Sequence, residues 1–295
     1  MTPISLDALN QADRQTFMAA LGEVMELAPW VAEQAFASRP YSSLAALYRT
    51  MTDAVSAAGD DRVRALINGH PDLAGKAARE GKLTADSTTE QAGAGLDRLS
   101  ETEYATFHRL NNAYRDKFGM PFIVCVRRHG KESILREFER RLNNDATAEQ
   151  KTALAEIYRI AALRLDQRVT AADRLKVHGH LSTHVLDTHG GHPAPGLAVE
   201  LCEIGAGGAA RTLQRAVTNA DGRTDRPLMS GMPIPIATYE LRFAVGDYFA
   251  RQQIPQAEPP FLGIVPVRFA VAEPEGRYHV PLLVTPWSYS TYRGS

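Results

Sequence analysis

Tyr239-Glu240-Leu241-Arg242-Phe243-Ala244-Val245 alternates, with Tyr239, Leu241, Phe243 and Val245 on one side and Glu240 and Arg242 on the other. A period of two belongs to an extended strand with one face buried. Outward from this stretch, Leu197/Val199/Leu201, Val265/Val267/Phe269 and Tyr278/Val280/Leu282/Val284 repeat the pattern. Asp221-Gly222 and Gly190-Gly191 supply turn chemistry between such runs. Several short strands of this kind predict a β-sandwich.

The first half of the chain has a different grammar. Phe17, Leu21, Val24 and Met25 recur at helical spacing, as do Leu44, Leu47, Tyr48, Met51 and Val55. Ser100-Glu101-Thr102-Glu103 is a capping box ahead of Tyr104, Phe107, Leu110 and Tyr114. Ile134, Leu135, Phe138 and Leu142 mark another helix, and a last one follows Thr147 with Leu154, Ile157, Ala161 and Leu165. Phe122-Ile123-Val124-Cys125-Val126 is short and apolar enough to be either a buried strand or a buried helical turn. Five of the 17 prolines lie before residue 170 and twelve after it, which suits helices followed by strands and turns. The expected fold is therefore multidomain: an all-α domain over 1–169, a linker over 170–177 and an all-β sandwich over 178–295.

At 295 residues the chain can bury two cores. A net charge of −1 leaves no electrostatic footprint for nucleic acid or an anionic membrane. No apolar run approaches the ~20 residues that span a bilayer, and the first residues lack a signal-peptide pattern. Cys125 and Cys202 each sit in an apolar run, as buried reduced thiols do. The composition reads as that of a soluble cytoplasmic protein.

Five of nine histidines crowd residues 178–192: His178, His180, His184, His189 and His192. Zinc needs ligands held in fixed geometry, and His189 and His192 flank a Gly-Gly turn, so no metal is expected. His184 and His279 lie opposite the apolar register of their strands and face away from the core. Spacing alone leaves each as an ordinary surface residue. In the first half, Gly69-His70-Pro71 pins a histidine between two residues that restrict the backbone. Ser87-x-x-Glu90 reads as a capping box with no chemistry required. Arg164 falls on the apolar stripe of the last helix, where a buried guanidinium needs an anionic partner.

Two resemblances add roles to these residues. Leu181-Ser182-Thr183-His184-Val185-Leu186-Asp187, the HVPLL strand at 279–283 and the ending Tyr292-Arg293-Gly294-Ser295 resemble the 5-hydroxyisourate hydrolases of the transthyretin-like family. The resemblance implies that His184, Arg223, His279 and Ser295 are catalytic, that Tyr292, Arg293 and Gly294 bind substrate, and that the sandwich assembles as a homotetramer. HPDLAGKAA, LTADSTTEQAGAGLDRL, FHRLNNAYRDKFGMPFIVCV and ILREFERRLNND resemble the 2-oxo-4-hydroxy-4-carboxy-5-ureidoimidazoline (OHCU) decarboxylases. That resemblance implies His70, Glu90 and Arg164 as the catalytic trio, with Arg164 fixing the substrate and Glu90 orienting His70 or stabilising its charge. Pro71, Ser87, Gln91 and the backbone at Phe122, Ile123 and Val126 would line the pocket.

The two reactions are consecutive steps of urate catabolism, ending in (S)-allantoin, and neither needs a cofactor. The partners implied are small-molecule substrates, with no nucleic acid and no membrane. The rival reading is a transthyretin-like ligand carrier fused to a helical scaffold.

Overall fold

The computed structural model describes residues 2–75 and 83–294. It divides into two compact units, Met1–Arg127 with Ser133–Val177, and Arg128–Glu132 with His178–Ser295.

The first unit is helical, and each helix begins where the local chemistry offers an acceptor for its free N–H groups. Ser5 caps α1 (Leu6–Gln11) and Asp13 caps α2 (Arg14–Leu21). Pro29 opens α3 (Pro29–Ala37), and Ser43 caps α4 (Leu44–Ser56). The Asp173 carboxylate, far along the chain, also accepts from Leu44 N at 2.8 Å and Ala45 N at 3.0 Å at the head of α4. After α5 (Asp60–Asn68), α6 (Ala85–Gly93) is capped by Thr84, not by Ser87. The capping box expected at Ser87 and Glu90 is thus corrected: both lie inside α6 and face inward. The box at Ser100 and Glu103 does form, at the head of α7 (Glu101–Phe118). Two helices close the unit, α8 (Lys131–Arg141) and the long α9 (Ala146–Arg168).

Periodicity left Phe122–Val126 open, and it is neither strand nor helix. Residues 121–125 are irregular and buried, leading into a single 3-10 turn at Val126–Arg128. Buried side chains satisfy its backbone: Glu156 accepts from Cys125 N at 2.9 Å, and Arg141 donates to Ile123 O at 2.6 Å. Arg141 also lies over the Phe122 ring, 4.4 Å from its centroid, and is paired with fully buried Glu149. An irregular segment can stay buried because these groups replace a ladder. A short parallel pair, β1 (Ile4–Ser5) with β2 (Val169–Thr170), joins the first residues to the end of α9. Beyond it Asp166 accepts from Arg174 Nε at 2.9 Å and Leu175 N at 3.2 Å, so the segment after α9 is held.

The second unit carries the predicted strands. Two four-stranded sheets share one apolar core. One is β7 (Ala210–Val217), β6 (Ala198–Ile204), β8 (Ala237–Ala244) and β9 (Ile264–Val271), antiparallel throughout. The other runs β12 (Tyr289–Thr291), β11 (Leu282–Val284), β4 (Val185–Asp187), β5 (His192–Pro193). A parallel pair, β3 (His180–Ser182) with β10 (Arg277–His279), sets Ser182 beside His279 in register. One short helix, α10 (Val245–Arg251), follows β8 and buries Tyr248 and Phe249. Along β8, Tyr239, Leu241 and Phe243 are buried as the alternation requires. Glu240 is buried as well, but on the opposite face, where it pairs with Arg242 and Arg268.

Candidate active sites

In the helical unit one cavity is lined by His70, Pro71, Leu73, Ser87, Glu90, Gln91, Phe122, Ile123, Val124, Val126, Ile160 and Arg164. Every residue that the sequence assigned to this site is among them. His70 follows the end of α5 and is buried. Its Nδ1 lies 2.9 Å from the Leu66 carbonyl oxygen. A carbonyl only accepts, so Nδ1 carries the proton and Nε2 is the basic nitrogen. Burial holds the imidazole below its ordinary pKa, against the Leu66 carbonyl and the Glu26 charge, which favour protonation.

Arg164 rises from the inward face of α9 and is almost wholly buried. Its Nε and Nη2 meet Glu90 Oε1 and Oε2 at 3.0 and 2.9 Å. On its other side Nη1 donates to Glu26 Oε2 at 2.7 Å and to the Glu23 carbonyl at 3.3 Å. Burial alone would weaken the guanidinium charge, but the carboxylates of Glu90 and Glu26 prevail and raise its pKa. The expectation that Glu90 orients His70 meets a different geometry. Among the described residues its hydrogen bonds go to Arg164, and the His70 ring is oriented by a backbone carbonyl. Gln91 accepts from Ala74 N at 2.9 Å, holding a non-glycine residue at φ 50° beside the cavity.

Three features were not anticipated. Leu73 and Ile160 add apolar wall. Glu26 is the third: a buried carboxylate that also accepts from Thr84 Oγ1 at 2.6 Å and Ser87 Oγ at 3.0 Å. The signal was available, since Glu26 interrupts the apolar run Val24-Met25-Glu26-Leu27-Ala28 just as Arg164 interrupts its helical stripe.

In the sandwich unit, His184 sits in the break between β3 and β4 and forms an isolated bridge with Arg223. The turn beneath it is built by Asn219, whose side-chain oxygen accepts from Asp221 N at 3.0 Å and Arg223 N at 3.2 Å. Gly222 has φ 69°, and a Cβ there would collide with the Val185 carbonyl. Only glycine fits. His279 ends β10, and its Nδ1 lies 3.0 Å from Ser182 Oγ. Gly294 N donates to the His279 carbonyl at 2.9 Å, closing the chain end over this strand.

Both imidazoles are held below their ordinary pKa, first by burial and then by the Arg223 charge; His184 adds to the effect on His279. His184, Arg223, His279 and Gly294 are therefore brought together. His184 Nε2 is shielded from solvent and has no hydrogen-bond partner among the described residues. Tyr292 is exposed, and Arg293 lies 5.2 Å from the centre of the Tyr278 ring. Ser295 lies outside the described residues. His189 and His192 are exposed, and among the described residues no group of three or more His, Cys, Asp or Glu could hold a metal ion. Among the described residues no helix is long and apolar enough to cross a membrane.

A helical unit around a buried Arg-Glu pair and a sandwich carrying two histidines beside an arginine define a two-domain protein with one candidate site in each part. The chain belongs to the OHCU decarboxylase family, whose model matches residues 10–166, and through residues 181–294 to the HIUase/Transthyretin family. A 2-oxo-4-hydroxy-4-carboxy-5-ureidoimidazoline decarboxylase of Halalkalicoccus jeotgali is 40% identical over 173 residues, 59% of this chain and 96% of that protein. A 5-hydroxyisourate hydrolase of Deinococcus radiodurans is 52% identical over 118 residues, 40% of this chain and 98% of that one. A crystal structure of (S)-allantoin synthase aligns over 99% of this chain and 100% of its own, with 32% identity and a TM-score of 0.51.

Proposed function

We propose that the chain is a bifunctional enzyme of urate degradation: its sandwich hydrolyses 5-hydroxyisourate to OHCU, and its helical unit decarboxylates OHCU to (S)-allantoin. The observation that carries this reading is a single cavity lined by His70, Ser87, Glu90, Gln91 and Arg164, in a chain whose halves match a decarboxylase and a hydrolase separately.

In the sandwich, water attacks a ring carbonyl and a neutral imidazole takes its proton. His184 and His279 suit this task because both are kept deprotonated near neutral pH. Arg223 stabilises the oxyanion that forms. Gly294 and the Tyr292-Arg293 segment close the substrate site beside His279.

In the helical unit, the substrate carboxylate sits beside a ring that accepts electrons, so carbon dioxide can leave without a cofactor. Nε2 of neutral His70 takes the proton of the substrate hydroxyl as carbon dioxide leaves, and protonation of the resulting electron-rich ring on one face completes (S)-allantoin. Arg164 draws the anion in and orients it through charge-assisted hydrogen bonds. Glu90 keeps the guanidinium fork in place, while Pro71, Gln91 and the Phe122–Val126 backbone enclose the ring.

The exposed aromatic residues Trp287, Tyr289 and Tyr292 near edge strand β12 support assembly of the sandwich into a homotetramer. Light scattering at micromolar concentration tests this, and a stable monomer would refute it. The cytoplasm is the proposed location.

The decisive experiment adds freshly made 5-hydroxyisourate to the intact chain and follows its absorbance decay and the chirality of the allantoin. Accelerated decay with (S)-allantoin is expected. Unchanged decay with racemic product would instead favour a carrier.

A further inference from the structure

We propose that Glu26 is a positioning residue of the helical site, gripping Arg164 from the side opposite Glu90 and placing a buried negative charge behind the cavity wall that carries His70. The proposal rests on the decarboxylase reading of that site.

Glu26 lies behind the cavity wall, one hydrogen bond from two of its lining residues. It accepts from Arg164 Nη1 at 2.7 Å and from Ser87 Oγ at 3.0 Å, and Thr84 Oγ1 holds it at 2.6 Å. These partners come from α9 and from the start of α6, so one carboxylate fixes two walls of the cavity together. Glu26 is as buried as Arg164. Such a carboxylate persists inside a protein only when several donors are aimed at it.

The backbone around Glu26 is bent to deliver it inward. Leu27, the next residue, is 72% exposed and adopts φ 50°, in the left-handed region that a leucine seldom occupies. This turn also reaches the segment that carries His70. A Cβ built at Gly69 would stand 3.5 Å from Leu27 Cβ, so the backbone beside His70 passes close to the residue that follows Glu26.

The charged groups around this point are few and nameable. Arg164 faces both Glu26 and Glu90. Asp86 is paired with Arg168 at 2.5 Å, and Arg127 stands 3.9 Å from Glu90. Glu90 is committed to Arg164 at both oxygens. Glu26 is the carboxylate whose charge favours protonation of His70, opposed by burial and by Arg164. A substrate carboxylate bound beside the fixed Arg164 fork offsets the guanidinium charge that opposes protonation of His70. The effect of Glu26 on His70 is then less opposed as the imidazole takes its proton.

The test compares Glu26→Gln, which keeps the acceptor and removes the charge, with Glu26→Asp, which keeps the charge and shortens the reach. The His70 imidazole is titrated by NMR in the intact, ligand-free chain, and kcat/KM for OHCU is measured against pH. In Glu26→Gln the titration and the acid limb of kcat/KM should both move to lower pH, with at least a tenfold loss of decarboxylation at neutral pH and unchanged 5-hydroxyisourate hydrolysis. Glu26→Asp should leave the titration near wild type and express its loss in KM. An unmoved His70 titration in Glu26→Gln, or an equal loss at every pH, would overturn the proposal. Should Glu26→Gln fail to fold, a His70 titration displaced in Glu26→Asp as the Gln variant was expected to displace it would do the same. A wild-type chain that gives no stereoselective decarboxylation would defeat the functional reading instead, leaving the NMR titration to decide the role of Glu26.

Discussion

Arg164 and Glu90 meet edge to edge, Nε to Oε1 at 3.0 Å and Nη2 to Oε2 at 2.9 Å, although 74 residues separate them in sequence. Two parallel hydrogen bonds fix the plane of the guanidinium as well as its position. The group assigned to hold an anionic substrate is therefore already oriented before any ligand arrives. That order depends on burial, and burial makes the two residues unequal when mutated.

Arg164→Gln strands two buried carboxylates, Glu26 and Glu90, and should cost the helical unit about 3–5 kcal/mol. Glu90→Gln leaves Arg164 with Glu26 and should cost only about 1–3 kcal/mol. Chemical denaturation of each variant measures both. Equal costs would mean that Glu26 does not sustain Arg164 when Glu90 is neutral.

The two proposed activities should separate cleanly. His70→Ala is expected to lower stereoselective decarboxylation by at least about 100-fold while hydrolysis stays at the wild-type rate. His279→Ala should do the reverse. A variant that loses both activities with its fold intact contradicts the two-site reading.

Much of this was legible in the sequence because the signals are local. The period of two along Tyr239–Val245 and the capping box at Ser100 and Glu103 are properties of neighbouring residues, and both formed as expected. Arg164 stood out because a charge on an apolar stripe is anomalous wherever it occurs. Glu26 interrupts an apolar run much as Arg164 does, but its partners are 58, 61 and 138 residues away, and no local pattern names them. Ser87 was read as a cap because Thr84 and Ser87 offer the same chemistry three residues apart; only the turn geometry chooses between them. The irregular path of Phe122–Val126 is fixed by Arg141 and Glu156, side chains of other helices that no local pattern could name.

Stability should fall as the solution is acidified below about pH 6.5. His70, His184 and His279 all have folded-state pKa values below the ordinary one. The unfolded chain therefore binds protons first as pH falls, so their contribution is complete above the unfolded value and lost below it. A melting series from pH 7.5 to 5.5 should show the decline, and His70→Gln should flatten it for the helical unit. A melting point that rises on acidification would contradict the burial argument.

Ser182→Ala removes the hydroxyl 3.0 Å from His279 Nδ1. The ring would lose the bond that sets its rotation, while the register of β3 with β10 supports the backbone. Hydrolysis should drop by roughly 2- to 13-fold with little change in melting, because the neutral hydrogen bond is worth about 0.5–1.5 kcal/mol. Ser182→Thr, which restores a hydroxyl, should recover most of the rate. Full activity in the alanine variant would assign the serine to strand packing alone.

Gly294→Ala tests how tightly the chain end closes on the sandwich site. A Cβ at this position would lie 2.6 Å from His279 Cδ2 and 3.1 Å from its Cβ, well inside contact distance. Either the imidazole rotates away from Ser182 or the Gly294–His279 backbone bond at 2.9 Å breaks. Both responses disturb the hydrolase site and neither reaches the helical unit's core. The expected result is at least a tenfold loss of 5-hydroxyisourate hydrolysis, with OHCU decarboxylation retained when that substrate is supplied directly. Unimpaired hydrolysis in this variant would mean that the end of the chain is not part of the reacting geometry.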